Sequence, residues 1–341
     1  MRRTLITLAA IVLSLMLAQA PAAACAGLIG SNGAVNLGRT TTLAAYHNGV
    51  EHYITAFQFL GGGGQFGTLI PLPGIPSDVE KGGAWTLQRL IRETEPQVFR
   101  SLRGAIAAPA AADSAQVILE KRIDALDITV LKGGAKSVAT WATDHGFRLS
   151  PDAPEVLEFY AARSPIFLAA VFDGDAAKAR GQQVGDGTPV HITIPTPNPW
   201  VPLRILALGK KATDRVDADV FLLTDRTPTL MPGPRDGLGL LHSAPATDLL
   251  LRDLRSDEGM SWVPAKAWLT KLRIDAPASS LTYDLAVDAT GSGTPSRVAA
   301  GLESPISPVA PAPAPETWML FALVAVLLGA PVAASLVRAR A

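Results

Sequence analysis

Five histidines and a single cysteine are the residues of this 341-residue chain best suited to metal binding or acid–base chemistry. His47 and His52 flank Asn48-Gly49, the strongest short hairpin signal in a sequence. With a two-residue turn, His47 faces Val50 and Ala45 faces His52, which makes the two imidazoles diagonal neighbours on one face, about 7 Å apart along the backbone. Two imidazoles that close could clamp a Zn or Cu ion if a third ligand arrives from elsewhere. The plainer alternative is two half-exposed residues on the polar side of a hairpin, and no cofactor is assigned. His145 falls in the last turn of a predicted helix, where the backbone's partial negative charge favours a capping cation. His191 and His242 have no acidic or cysteine partner at a recognisable spacing.

Other constellations fail on spacing. No serine sits in a Gly-x-Ser-x-Gly elbow and no HExxH helix occurs. Gly61 to Gly64 lacks the Lys-Ser/Thr of a phosphate cradle and reads as a hairpin loop or bulge between two strands. Asp173, Asp175 and Asp186 suggest a calcium loop, but no Glu stands at the twelfth position. Asp124 with Asp127, and Glu155 with Glu158, have the spacing of ordinary solvated faces. No catalytic residue is assigned.

The lone cysteine, Cys25, excludes an intrachain disulfide framework and any multi-cysteine zinc site. It lies at the end of a secretory signal: Met1-Arg2-Arg3, an apolar run from Leu5 to Leu17, then small residues. Cleavage after Ala24 or after Ala26 both satisfy the small-x-small rule, giving a signal peptide over 1–24. Cys25 is a candidate for lipidation, although Ala22 stands where a lipoprotein signal usually has Leu. At the other end, residues 318–337 carry no charge and, as a helix, span about 30 Å, the thickness of bilayer hydrocarbon. Trp318 fits the interface, and the basic tail 338–341 with Arg338 and Arg340 places the C-terminus in the cytoplasm. Residues 304–317 alternate Pro and Ala and predict an extended stalk. Ala314-Pro315-Glu316-Thr317 is also similar to a sortase signal, but Trp318 replaces the Gly of the scissile bond.

Residues 27–303 remain as an extracytoplasmic domain, with room for two subdomains. The composition, 48% hydrophobic and 18% charged with mean hydropathy +0.25, is too apolar for disorder and too polar for a multi-span membrane protein. Removing Arg2, Arg3, Arg338 and Arg340 from the 30 basic residues leaves 26 against 30 acidic ones, a net charge of −4 outside. Phosphate backbones would be repelled, so nucleic acid is excluded as a partner.

Within this domain, strands are predicted at Thr40–His47, Val50–Leu60, Phe66–Leu72, Leu126–Val130, Pro165–Phe172, Val190–Ile194, Val201–Leu208, Val216–Leu223 and Leu281–Leu285. Helical spacing marks Trp85–Ile91, Val98–Leu102, Val138–Ala142, Val156–Tyr160, Thr247–Arg255 and Pro264–Leu272. Asp173 to Gly187 reads as a polar loop. Without a βαβ rhythm, the fold class is α+β: a mixed, mainly antiparallel sheet with interleaved helices, plus one C-terminal transmembrane helix.

Thr40-Thr41-Thr42-Leu43-Ala44-Ala45, Gly49-Val50-Glu51-His52-Tyr53 and Phe66-Gly67-Thr68-Leu69-Ile70-Pro71-Leu72-Pro73 resemble a bacterial secreted family, domain-of-unknown-function family 2330. Asp127-Ile128-Thr129-Val130-Leu131, Trp141, Gly146-Phe147, Glu158-Phe159-Tyr160, Pro202-Leu203-Arg204-Ile205 and Trp268 to Arg273 continue the resemblance. It implies export and a frequent membrane anchor, and it brings no activity or catalytic residue. Two functions follow as expectations. The first is a single-pass cell-surface protein, held in the membrane through 318–337, with a non-catalytic domain that binds an envelope protein or cell-wall component. The second is an extracytoplasmic hydrolase or transferase whose site is assembled from sequence-distant residues. Protease added to intact protoplasts should remove most of the chain and spare a small C-terminal fragment; protection of the whole chain would overturn the exported topology.

Overall fold

Asn48 and Gly49 take φ of 50° and 80°, the left-handed pair that a tight I′ hairpin turn requires. The strands they join have the expected register, His47 opposite Val50 and Ala45 opposite His52. The computed structural model describes residues 22–23, 27–30, 33–34, 39–58, 64–94, 117–183 and 187–305.

In chain order these form β1 (Ala22–Ala23), β2 (Gly27–Gly30), β3 (Gly33–Ala34), β4 (Arg39–His47), β5 (Val50–Gln58), β6 (Gln65–Pro71), β7 (Asp78–Lys81) and α1 (Thr86–Thr94). Next come β8 (Val117–Ile123), β9 (Leu126–Lys132), α2 (Ala135–Asp144), α3 (Ala153–Ala161), β10 (Ile166–Asp173), α4 (Gly174–Ala179), β11 (Gly187–Pro195) and β12 (Trp200–Val201). The last are β13 (Arg215–Thr224), β14 (Thr229–Met231), β15 (Leu238–Pro245), α5 (Asp248–Ser256), β16 (Trp268–Pro277) and β17 (Leu285–Asp288).

The larger sheet runs β15-β16-β13-β4-β5-β11-β7, with β1 added beside β4. Its pairings are antiparallel except β4 with β13 and β1 with β4. The second sheet, β3-β2-β6-β10-β9-β8, is antiparallel throughout, and β12-β17-β14 form a small third one. This is the expected α+β class with mainly antiparallel sheets.

Period-two alternation sorts the side chains into layers. Tyr53, Val190, Val220 and Leu272 of the larger sheet meet Ile70, Ile128, Val130 and Leu168 of the second. Phe167 and Ala169, on the second sheet's far side, pack under Val138 and Trp141 of α2 and Leu157 and Tyr160 of α3. Leu43, Ile54 and Phe221, on the larger sheet's far side, are covered by Leu87 and Leu90 of α1 and Leu250, Leu251 and Leu254 of α5. The order is therefore helix, sheet, sheet, helix. Double coverage explains why Ile166 to Phe172 is apolar without alternation: both faces of β10 are buried.

Four expectations are corrected. Val201–Leu208 is not a strand; β12 ends at Val201 and a 3₁₀ turn follows at Arg204–Ala207. Side chains take the amides that a ladder would use: Asp284 Oδ1 accepts from the Leu203 and Arg204 N–H groups, and Tyr160 Oη from that of Ile205. Pro264–Leu272 is not a helix; Trp268 opens β16, whose pairing with β13 and β15 overrides the helical spacing of its leucines. The loop after Asp173 contains α4, because the Asp173 carboxylate caps its first turn. β6 does form, but beside β2 and β10 rather than β5, so the glycine run does not close a hairpin.

The chain divides into two compact units, Met1–Ser304 and Pro305–Ala341; every element above belongs to the first. Among the described residues no helix is long and apolar enough to cross a membrane. The predicted segment 318–337, the tail, the stalk beyond Pro305, the Val98–Leu102 helix and Cys25 lie outside the described residues. Of the predicted signal peptide only Ala22–Ala23 is described, paired with Arg39–Thr40.

The helical layer over the second sheet is tied down by a buried ion pair. Asp284, fully buried, accepts from Arg163 Nη2 at 2.6 Å and Tyr160 Oη at 2.8 Å, besides the two amides. The Arg163 guanidinium in turn lies 3.9 Å from the Phe159 ring centroid and 5.2 Å from that of Trp200. Removing one partner strands a buried charge. Asp284→Ala is expected to cost about 3–5 kcal/mol in chemical denaturation; a loss below about 1 kcal/mol would show the pair to be dispensable.

Candidate functional site

At the β5–β11–β7 side of the larger sheet, the layer of helices gives way to a loop, residues 257–264, that follows α5. The loop is pinned from several directions. Asp257 accepts from the Ala84 and Trp85 amides at 3.1 and 3.0 Å and from Thr86 Oγ1 at 2.8 Å, holding the start of α1. Arg255 Nη1 donates to the Pro264 carbonyl at 2.7 Å. Gly259, at φ 73°, passes so close to β7 that a Cβ there would lie 2.8 Å from the Lys81 carbonyl oxygen. So anchored, the loop lays Trp262 flat on His52, with ring centroids 3.9 Å apart and planes 2° from parallel.

Register places His191 beside His52. In β11, His191 is opposite Ile54 of β5 and Glu80 of β7, and Val190, Ile192 and Ile194 point the other way, into the core between the sheets. Glu80 Oε1 lies 3.0 Å from His191 Nδ1, and His191 Nε2 lies 2.9 Å from His52 Nδ1. These partners dictate the protons. A carboxylate only accepts, so His191 donates from Nδ1 and offers the Nε2 lone pair. His52 then donates from Nδ1 and keeps a lone pair on Nε2. No described residue hydrogen-bonds to that nitrogen, and it is not among the atoms sealed from solvent.

Burial pushes both imidazoles down to about 4; for His52, His191 and His47 add to the effect, while Asp78 pulls His191 partly back. The arrangement is a neutral base with a fixed tautomer and a stacked face. It can bind a cationic or metal centre, or accept a proton.

The remaining candidates disperse. His47 is not paired with His52: its Nδ1 lies 2.5 Å from Asp225 Oδ1 and its Nε2 lies 2.8 Å from Asn48 Nδ2. His145 sits 2.8 Å from the Trp141 carbonyl at the end of α2, the expected cap. His242 lies on edge strand β15, beside a bulge. Asp173 caps α4, Asp175 accepts from the Gly64 amide, and Asp186 and Gly61 to Gly63 lie outside the described residues. Asp124 pairs with Lys81, Asp127 with Arg122 and Glu155 with Arg204. Among the described residues no group of three or more His, Cys, Asp or Glu is placed to hold a metal.

Glu51 was not foreseen. It shares the inward face of β5 with Tyr53 and is fully buried, and apart from a weak approach of the Trp200 backbone amide its carboxyl oxygens meet no hydrogen-bond donor among the described residues. Burial lifts it to about 8, against a weaker opposing pull from the Trp200 backbone amide. Glu80 and Trp262 carry no signal of a site in the sequence either, and His191, which has no acidic partner at a recognisable spacing, finds one across the sheet in Glu80. The alternation of β11 marks His191 as facing away from the core, but nothing local says that β11 lies beside β5.

A family model described as "Uncharacterized protein conserved in bacteria (DUF2330)" matches residues 19–227. No curated protein matches the chain. Among solved structures, baculovirus P35 is similar at TM-score 0.39 and 10% identity, over 73% of this chain and 96% of that one. A mutated baculovirus P35 after caspase cleavage, at 2.7 Å resolution, gives TM-score 0.39 and 8% identity over 73% and 99%. The caspase-8/P35 complex gives 0.35 and 9% over 74% and 90%. Likeness at this level carries no argument about fold or function.

The shifted groups set opposite pH dependences. His52 and His191 are depressed from 6.5 to about 4, so their contribution to stability is present above pH 6.5 and lost as pH falls through 4. Glu51 is raised from 4.5 to about 8, so its contribution is full below pH 4.5 and lost as pH rises through 8. Thermal melts of Glu51→Gln at pH 8 should therefore lie above those of the wild type, with the gap closing towards pH 5; equal melts at both pH values would contradict a buried neutral carboxyl.

Proposed function

Since the chain belongs to the DUF2330 family of uncharacterized proteins conserved in bacteria, which supplies no activity, we propose that it is a membrane-anchored extracytoplasmic domain that binds a partner protein in the bacterial envelope. The observation that carries the binding role is the edge of the larger sheet. β15 pairs with β16 on one side, and its other side carries no described strand. A bulge between Leu240 and His242 leaves Leu241 as the extra residue, and Leu240 and Leu241 are 46% and 57% exposed. Adjacent exposed leucines on an edge strand are unfavourable in water and suit an apolar protein surface. The bulge interrupts continuous strand pairing, so the partner docks on the side chains rather than as a full added strand.

Anchoring and export rest on the sequence: the basic-apolar-small N-terminus, the Pro/Ala stalk and the uncharged run 318–337. The open Nε2 of His52 favours one other reading, a hydrolase or transferase in which that nitrogen takes a proton from a substrate-borne nucleophile.

A photo-crosslinking residue in place of Leu241 on living cells should yield a discrete adduct that Leu240→Asp abolishes, while the same probe at Ile118 of the second sheet yields none. Absence of the Leu241 adduct would sink the binding role. Deleting Trp318–Ala341 should release the domain into the medium; retention would instead point to lipid on Cys25 or an uncleaved N-terminus.

A further inference from the structure

The helix-covered face of the larger sheet holds an amine and a carboxyl that partner binding at β15 does not use. β13 and β16 pair so that Asp219 is opposite Arg273 and Phe221 is opposite Lys271. Lys271 therefore reaches Asp219 along the diagonal of the ladder. Its Nζ lies 3.7 Å from Asp219 Oδ2, and both side chains are only 1% exposed. That separation is van der Waals contact, longer than a hydrogen bond. Nζ also lies 5.3 Å from the centroid of the Phe221 ring, part of the apolar layer under α1 and α5. On the other side of the carboxyl, Arg273 Nη1 lies 3.8 Å from Asp219 Oδ1, while Arg273 Nη2 donates to Asp217 Oδ2 at 2.8 Å. Asp219 thus turns one oxygen to an amine and the other to a guanidinium.

We propose that Lys271 and Asp219 condense into an intramolecular amide, a covalent tie between β13 and β16. The ammonium passes one proton to Oδ2, and the Nζ lone pair then attacks Cγ to form the new N–C bond. Negative charge develops on Oδ1, beside the fixed charge of Arg273, which is the electrostatic arrangement that lowers such a barrier. A second proton moves from Nζ to Oδ2, the Cγ–Oδ2 bond breaks, and one water leaves. Ammonium and carboxylate become amide and water, and the step needs no oxidant or outside reagent.

Two features of the fold favour the reaction. Holding amine and carboxyl in contact acts as an effective concentration that reaches on the order of 10⁵ M or more for well-oriented groups, and burial excludes the water that would reverse the step. The product also removes two charges from a covered site, where their solvation is lost. Arg273 keeps Asp217 as its partner, so no charge is stranded. Because β16 also carries β15, the tie fastens the edge bearing Leu240 and Leu241 to the middle of the sheet.

The test is a peptide map of the full-length protein, extracted in detergent from the cells that make it, denatured and digested with trypsin. Val216–Arg226 and Ala267–Arg273 should appear as one branched peptide, one water lighter than the two segments together, because an acylated Lys271 no longer directs cleavage. Fragmentation should place the bond at Asp219 and not at Asp217. Lys271→Arg should yield linear peptides alone. Finding Val216–Arg226 and Ala267–Lys271 only as separate linear peptides in the wild type, or a branch through Asp217, would overturn the proposal. The map is read without any partner present, so the tie and the Leu241 adduct stand or fall separately.

Discussion

Two sheets stacked face to face, each covered again by helices on its far side, leave almost no water for a polar group carried inward. That constraint governs where charge can sit. Asp284 is tolerated because two side chains and two amides hold it, and it converts the cost of burial into a joint between α3, the Arg204–Ala207 turn and β17. Thr42 and Thr55 satisfy each other across the β4–β5 ladder, Oγ1 to Oγ1 at 3.3 Å. Glu51, on the same inward face, has no such partner, and the consequence is a carboxyl that keeps its proton up to about pH 8.

Polar chemistry is pushed to where the coverage ends. α1 and α5 roof one part of the larger sheet, and beyond them the loop 257–264 continues the cover with Met260, Val263 and the Trp262 indole. The indole lies flat on His52, and His191 is buried beside it. Partial burial removes the charge from both rings without removing the hydrogen bonds that order them, which is why the open nitrogen of His52 has a defined protonation state over a wide pH range. The opposite edge of the same sheet ends in β15, where two leucines remain in water.

Local pattern was legible where the local signal and the tertiary context agree. The Asn48-Gly49 turn, the alternation of Leu126, Ile128 and Val130, and the His145 cap at the end of α2 are all short-range physics, and they appear where the residues put them. Trp268 to Leu272 misled, because the spacing of its apolar residues suits a helix while two neighbouring strands offered backbone partners on both sides. β15 gave no signal: its exposed leucines and bulge obscure the alternation that marks a strand.

The sequence by itself determined the hairpin, its register and hence the shared face of His47 and His52, along with the α+β class and the family. Turn chemistry and period-two geometry act within a few residues, so they can be read in a line. Only the tertiary structure decided that His52 belongs with His191, Glu80 and Trp262, residues separated from it by as many as 210 positions. Strand order is set by which apolar faces can be buried together, and that choice is made by the whole chain at once.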